Sequence, residues 1–502
     1  MVGPHYHRPS VSVNNHWSAA NDPRLTSQRP VDSLWWHSFN DSTLDRLIDT
    51  AYRQNIALQI AGTRILEARA ELGIADAQWW PVNRNPIAGP MAGGIVPFNG
   101  NQPIFYGGHQ VGFDAAWEPD FWGRIRHGTR AAAAAYGATV ADYQGALVAL
   151  SAEVARTYVA IRTYQVFIAL ANSNVAIQEE GLQVAHARVR HGATSGLDES
   201  QATALLESTR SSVPEYQIAL QQAQNALCTL LGQTSGCDAG VLAGPEEIPT
   251  APSQVAIGVP AELLRRRPDI RSAELYAMAQ CDRIGMAVSE LYPSFDLTGS
   301  LGVRTVVTTG AQSALSGLLG IFNPGAFIFS LGANMFWPIL GYPRILNNIR
   351  VQDARFEQSL LNYQNVVLRA AQEVEDGIAG YLREQEAAAS AQNAVVAAQD
   401  AVHLSLIQYR EGSVDYQRVL DTQRSLLVTQ NTAARMRGAI ATNLVALYKA
   451  LGGGWELRNG QPVVSDQTRT EMERRTNWGG ALSPPHPANT STQPAPSNNN
   501  RR

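Results

Sequence analysis

Lysine is nearly missing from this chain: of its 39 Lys and Arg residues, only Lys449 is a lysine. Charge of either sign is thin at 16%, against the usual quarter, so much of the surface is uncharged or meets something other than water. The net charge of −4 removes the electrostatic case for a nucleic-acid binder. Three cysteines, Cys228, Cys237 and Cys281, make neither a disulfide framework nor a zinc site. Cys228 and Cys237 bracket a helix end and a short loop; in an oxidising compartment they can pair, and otherwise they are two buried thiols. Long apolar runs of helical character are also missing. Residues 305–343 hold no Asp, Glu, Lys, Arg or His, yet Gly310, Gly317, Gly320, Pro324, Gly325 and Gly332 interrupt them, which excludes a spanning helix and leaves β-structure in lipid. Val-Gly-Pro-His-Tyr comes directly after Met1, so no signal peptide is read; the expectation is a cytosolic protein or numbering that begins after processing.

Catalytic motifs are missing as well. There is no Walker-type glycine loop with its lysine, no H-E-x-x-H and no G-x-S-x-G, so nothing points to phosphoryl, metal-assisted or serine chemistry. His5-x-His7 lies in a proline-containing terminus and is a poor metal site. Gly192 to Gly196 is better read as the turn of a helical hairpin than as a phosphate loop, and Gly452-Gly453-Gly454 as a helix stop. No cofactor and no metal are expected.

What the chain has is repetition, the first thing to seek in a long sequence. Shifted by 220 positions, Arg124 to Gly232 falls on Arg344 to Gly452. Arg130 meets Arg350, Tyr143-Gln144 meets Tyr363-Gln364, Glu153-Val154 meets Glu373-Val374, Gly192 meets Gly412 and Leu231-Gly232 meets Leu451-Gly452. Upstream, Leu58, Ala61, Gly73, Ala75 and Pro81 answer Ile270, Ala273, Gly285, Ala287 and Pro293 at an offset of 212. The loop between the strands of the second half is therefore eight residues longer.

Each half has one plan. Residues 1–40 are irregular, with Pro4, Pro9, Pro23 and Pro30, and the cluster Trp35-Trp36-His37-Ser38-Phe39 should pack on the segment next in the chain. Asp41 or Ser42 offers an N-cap to one helix carrying Leu44, Leu47, Ile48, Ala51, Leu58, Ala61, Ile65, Ala68 and Leu72 at three- and four-residue spacing, ending before Pro81. Residues 81–120 change period: Val111, Phe113, Ala115 and Trp117 alternate with small or polar residues, a strand preceded by a weaker one that Pro86 and Pro90 disfavour. Residues 124–232 read as a long helical hairpin turning at His191 to Gly196, its outgoing helix about 100 Å long, with Gly232 as the final C-cap. After a linker at 233–260, residues 261–452 repeat the order: a helix from Pro268-Asp269, strands carrying Phe295, Leu297, Leu301 and Val303, then Phe327 to Trp337, and the hairpin at 344–452. Residues 453–502 close the chain, and 480–502 read as a disordered tail.

Four strands with one lipid-compatible face cannot close a spanning barrel, which needs at least about eight, and open edges are not tolerated in hydrocarbon. Three copies supply twelve strands and, by the same count, twelve long helices. The expected fold is mainly α with a membrane β-barrel: a trimeric 12-stranded barrel continued by a 12-helix tube.

Several spaced motifs also resemble a known family. Gly3-Pro4-x-Tyr6-x-Arg8-Pro9, Trp35-Trp36-x-x-Phe39-x-Asp41, Trp117-Glu118-x-Asp120 with Gly123-Arg124, and above all Leu263-Leu264-x-Arg266-Arg267-Pro268-Asp269-Ile270-Arg271-x-Ala273-Glu274 resemble TolC-like outer-membrane efflux lipoproteins of the NodT-type group, over residues 3–455. The resemblance implies a homotrimeric outer-membrane channel reaching into the periplasm. It would export drugs or other small molecules as a passive conduit, with a periplasmic adaptor protein and an inner-membrane resistance-nodulation-division transporter as partners and outer-membrane lipid around its barrel. It also implies a lipid-bearing cysteine just upstream of Met1. The family's pore is narrowed by acidic residues at the hairpin tips; Asp421 falls at the matching position and Asp415 is a second candidate gate residue. The alternatives are a solvated face residue for either and, for Asp415, an N-cap. The first half has Ser195 and Gln201 there. Gly192, Ala193, Thr194 and Ser195, with Gly412, Ser413 and Val414, are the candidate adaptor contacts or else plain turn residues. Competing readings are a type I secretion channel and a non-channel coiled-coil structural protein.

Overall fold

The computed structural model describes residues 1–12, 14–26, 33–95, 104–236, 242, 245–252, 254–258, 260, 266–308 and 322–483. The tail beyond 483, the strand-connecting loops at 96–103 and 309–321, Cys237 and the Leu263-Leu264 part of the longest motif lie outside the described residues. The chain divides into two compact units, each drawing segments from both sequence repeats.

The first unit is Met1–Pro9, Glu67–Ala138 and Glu274–Asn362. It holds an antiparallel sheet of β2 (Val82–Ile95), β3 (Ile104–Trp117), β5 (Ser294–Thr308) and β6 (Phe327–Phe336), in that order. β2 forms across its prolines because it is an edge strand, and the register slips between Asn83 and Pro86, where a proline's missing donor is tolerated. The junction of the two repeats is the β3–β5 pair, with Phe113 opposite Leu301. Leu301 in turn faces Phe329 on β6. Period two puts these side chains on one face, and they stay exposed, Phe113 at 66% and Leu331 at 87%. The other face is polar: Ser300 and Ser330 share a hydroxyl hydrogen bond of 2.6 Å. Among the described residues β2 and β6 each have a single neighbouring strand. In this unit the N-terminal segment is fastened by the buried His127, whose ring nitrogens meet Asp282 Oδ1 at 2.6 Å and the Val2 carbonyl at 2.8 Å, and by an Arg8–Glu274 ion pair.

The second unit is Ser10–Leu66, Thr139–Ala273 and Tyr363–Arg502. Among the described residues the α-helices are α1 (Ser42–Gln54), α2 (Ile56–Ala77), α3 (Arg124–Arg190), α4 (Gly196–Leu230), α5 (Pro268–Ser289), α6 (Tyr342–Arg410), α7 (Tyr416–Ala450) and α8 (Asp466–Arg475). The single helix expected after Asp41 is in fact two. Asp41 caps α1, accepting from the backbone of Thr43 and Leu44. The break falls at Asn55, whose Oδ1 accepts from Leu58 N and whose Nδ2 donates to Leu230 O, both at 2.8 Å. The second repeat performs the same operation with a different residue: Arg267 Nη1 donates to Ala450 O at 2.8 Å. Each residue stands before a helix of its repeat and supplies a donor to the carbonyl end of that repeat's return helix, where helices leave carbonyls unpaired. The arginine of the longest motif therefore closes a helix end, and Asp269 and Glu373 pair with it. Two short elements carry no periodicity signal: α8, capped by Ser465, and a parallel bridge between β1 (Leu25–Thr26) and β4 (Val255–Ala256). In the aromatic cluster Trp36 packs edge-on to Tyr52 of α1, the segment next in the chain, at 6.1 Å, while Trp35 stacks on Tyr448 of the distant α7 at 5.4 Å.

Candidate functional site: the hairpin tips

The two hairpins turn by the same backbone device. Gly192 has φ +71° and Gly412 φ +80°, a left-handed conformation that glycine adopts without a Cβ penalty. Gly192 N donates to Val189 O and Ala193 N to Arg188 O, both at 2.9 Å; Gly412 N donates to Tyr409 O at 3.0 Å and Ser413 N to Gln408 O at 2.8 Å. This pair of bonds satisfies two carbonyls left over at each helix end. The side chains then differ. Ser195 caps α4 by accepting from Leu197 N. Asp415 occupies the same place before α7 and makes no side-chain cap bond. Asp421, nearly two turns further on, is exposed and accepts from Gln417 Nε2 at 3.0 Å. Among the described residues neither carboxylate has a cationic partner within salt-bridge distance. Gly192, Ala193, Gly412 and Ser413 are exposed, as is Ser195, while Thr194 and Val414 are half-buried.

A contact between the two tips was not legible from motif matching. The Tyr409 hydroxyl donates to Asp198 Oδ2 at 2.9 Å, and Thr194 Oγ1 reaches the same oxygen at 2.5 Å. The Arg188 guanidinium lies 4.7 Å from the centre of the Tyr409 ring and donates to the Tyr409 carbonyl. Tyr416 meets that ring edge-on at 5.0 Å. Burial, and after it the hydrogen bond to Asp198, pushes the Tyr409 phenol well above its ordinary range, so it stays a donor. Ala185, Ala202, Leu205, Val419 and Leu420 pack around the pair of tyrosines. Arg410 adds an exposed ion pair with Glu180 at 3.1 Å. Tip residues of the first hairpin thus grip a tyrosine of the second. One sequence signal could have found them: Tyr409 stands at offset 220 from Val189, and Asp198 from Arg418, so the latch sits where the repeats disagree.

Cys228, at the end of α4, is disulfide-bonded, whereas Cys281 is free and buried. No group of side chains among the described residues could hold a metal ion.

Long paired hairpins, a sheet shared by the two repeats and matched glycine turns make one architecture. The outer membrane efflux protein model matches residues 47–233 and 259–453. The chain belongs to that family. It is 32% identical over 429 residues to the solvent efflux pump outer membrane protein SrpC of Pseudomonas putida, covering 84% of this chain and 87% of the relative. It is 26% identical over 454 residues to the cation efflux system protein CusC of Escherichia coli, covering 90% and 96%. Among solved structures, the outer-membrane channel OprN superimposes with a TM-score of 0.84 at 30% identity, over 91% of this chain and 99% of that one. The fold is that of TolC-like outer-membrane channels, mainly helical with a membrane sheet, and this outer-membrane protein is the outer-membrane component of an efflux pump.

Proposed function

We propose that the channel is a homotrimer acting as a passive conduit for small molecules, with a periplasmic adaptor at the hairpin tips and a resistance-nodulation-division transporter in the inner membrane. The observation that carries the trimer is the sheet: four strands, an exposed apolar face and an unpaired edge on β2 and on β6 among the described residues. Hydrocarbon offers those edges no partner, and three copies joined edge to edge close twelve strands. Light scattering of the detergent-solubilised protein should give three chains per particle, and a monodisperse monomer would sink this reading. Transport through such a conduit needs no bond to be made or broken.

Asp415 and Asp421 are proposed as the gate. Both are exposed carboxylates without cationic partners among the described residues, at the tip of the hairpin that the other hairpin holds. Three symmetry copies facing one axis would repel one another, which suits a two-state constriction. Asp421→Ala should raise planar-bilayer conductance or weaken cation preference; unchanged traces from a folded trimer would reject the assignment. Gly192 to Ser195 and Gly412 to Val414 are the proposed adaptor surface, tested by crosslinking from Ser195 and Ser413 in the assembled pump. Pairing of Cys228 with Cys237 is proposed as a brace behind α4, checked by peptide mapping without reduction. The names of the relatives differ in cargo, solvent for SrpC and cation for CusC, which favours cargo selection by the inner-membrane partner.

A further inference from the structure

The tip cluster and the packing behind it are two groups of buried residues joined through the partly buried Leu406. On the tip side lie Ala185, Tyr409, Tyr416, Val419 and Leu420, with Leu182 and Leu406 against them. Behind lie Ala398, Val402 and Leu426, with Ile177 and again Leu406. Two glutamines stand at the level between these clusters, Gln178 on α3 and Gln423 on α7, exposed by only 2% and 1%. Neither amide oxygen nor amide nitrogen of either side chain reaches a protein hydrogen-bond partner. Gln423 lies over Gly181, where even a methyl group would come within 3.1 Å of its Nε2. Further from the tip the same two helices meet through amides that are paired: Asn174 Nδ2 donates to Gln430 Oε1 at 2.6 Å. The repeat sharpens the contrast. Gln178 corresponds at offset 220 to Ala398, itself a member of the apolar cluster. The first repeat therefore carries an amide where the second carries a methyl group.

A buried amide without partners forfeits the hydrogen bonds it made in water, and the penalty is larger than the average value of a bond that is made. An amide that becomes wet on separation regains them. We infer that Gln178 and Gln423 hold the α3–α7 seam short of full packing, so that this layer is where α7 parts from α3 and sets the balance between closed and open tips. The inference rests on the proposed gate at the second tip. The Tyr409–Asp198 bond and the tip cluster close the seam from one end; the glutamine layer lowers the work of opening it, because hydration is regained as packing is lost. Asn174 and Gln430, already satisfied, gain nothing by separating and mark the end of the moving part.

The test compares Gln178→Leu, Gln423→Leu and Gln430→Leu in the detergent-solubilised full-length protein, by thermal unfolding and by planar-bilayer conductance, with Asp421→Asn recorded alongside. Leucine at 178 or 423 should raise the melting temperature by a few degrees and lower the open fraction severalfold. Leucine at 430 should lower the melting temperature, since it leaves one Asn174 N–H without its acceptor while the other stays on Leu170 O. Hydrogen exchange of the wild-type protein guards against a variant that fails to fold: amides of 176–184 and 420–427 should exchange at least tenfold faster than those of 168–174 and 430–436. A melting temperature that is unchanged or lower for both Gln178→Leu and Gln423→Leu, or uniform exchange along the seam, overturns the inference. If Asp421→Asn alters conductance and the leucine variants do not, the seam inference fails and the gate reading survives. If none of them alters conductance, the gate reading fails, and the seam inference with it.

Discussion

The first and second hairpins share their turns and differ in what their side chains hold. At the first tip Ser195 caps its helix and Asp198 accepts two hydroxyl bonds. At the second tip Asp415 caps nothing with its side chain, and among the described residues the Asp421 carboxylate is met by a neighbouring glutamine one turn away. The hydrogen-bonding capacity of the first tip is spent inward, while that of the second remains available. A channel built from two tandem copies thereby acquires one hairpin that holds and one that is held. The lesson is that duplication fixes the backbone and divergence at a few positions divides the labour.

The same comparison can be broken at the other end of each hairpin, where the largest effect is expected. Arg267→Met keeps an unbranched apolar stem but removes the charge-assisted bond to Ala450 O in a residue only 7% exposed, a loss of about 2–3 kcal/mol. Asn55→Ala removes the corresponding neutral bond and a cap, about 1–2 kcal/mol. Denaturant melts of both should fall in that order, and equal losses would mean that the ion pairs with Asp269 and Glu373 add nothing. Next comes the latch. Asp198→Ala frees Tyr409 and Thr194 together; hydrogen bonds to a charged group contribute ~1.5–3 kcal/mol, so the open fraction in bilayers should rise by roughly tenfold or more. Arg418→Ala, at the matching position of the second repeat, should leave it nearly unchanged, and equal effects would erase the distinction between holder and held.

Smaller effects sharpen the likeness rather than the difference. Gly192→Ala and Gly412→Ala each force a Cβ into a left-handed residue, a loss of about 1–2 kcal/mol. The two should match, because the turns share one bonding pattern; an imbalance would show that one tip is strained. The smallest effect concerns the irregular segment before α1. A side-chain hydrogen bond from Arg24, joined by a backbone one, holds the Asp22 carboxyl down at about 2, below the ordinary value of about 3.9. A depressed carboxylate adds stability above its unfolded value and loses it as pH falls through the folded one. Protection of residues 18–26 against hydrogen exchange should therefore be full above about pH 4 and fade towards pH 2. A weak effect is expected, since the pair is partly exposed and screened.

Much of this architecture was legible along the chain. Periodicity gave the long helices, alternation gave three of the four strands, and the offset of 220 placed the turns at Gly192 and Gly412. Other parts were not legible, for identifiable reasons. The break at Asn55 interrupts no apolar stripe, because its cause is a carbonyl at Leu230, 175 residues away. β2 keeps its prolines because it lies at an edge, a fact about neighbours. Tyr409 and Asp198 belong to no motif and meet only because two helices pack side by side.

Sequence alone determined the repeat, the helix and strand periods, the glycine turns and the family, because each rests on local chemistry or on residues counted along one chain. Tertiary structure decided which strands became edges, which tip grips the other, and which amides are buried without partners. Those outcomes depend on what comes to lie beside a residue, and spacing along the chain does not carry that.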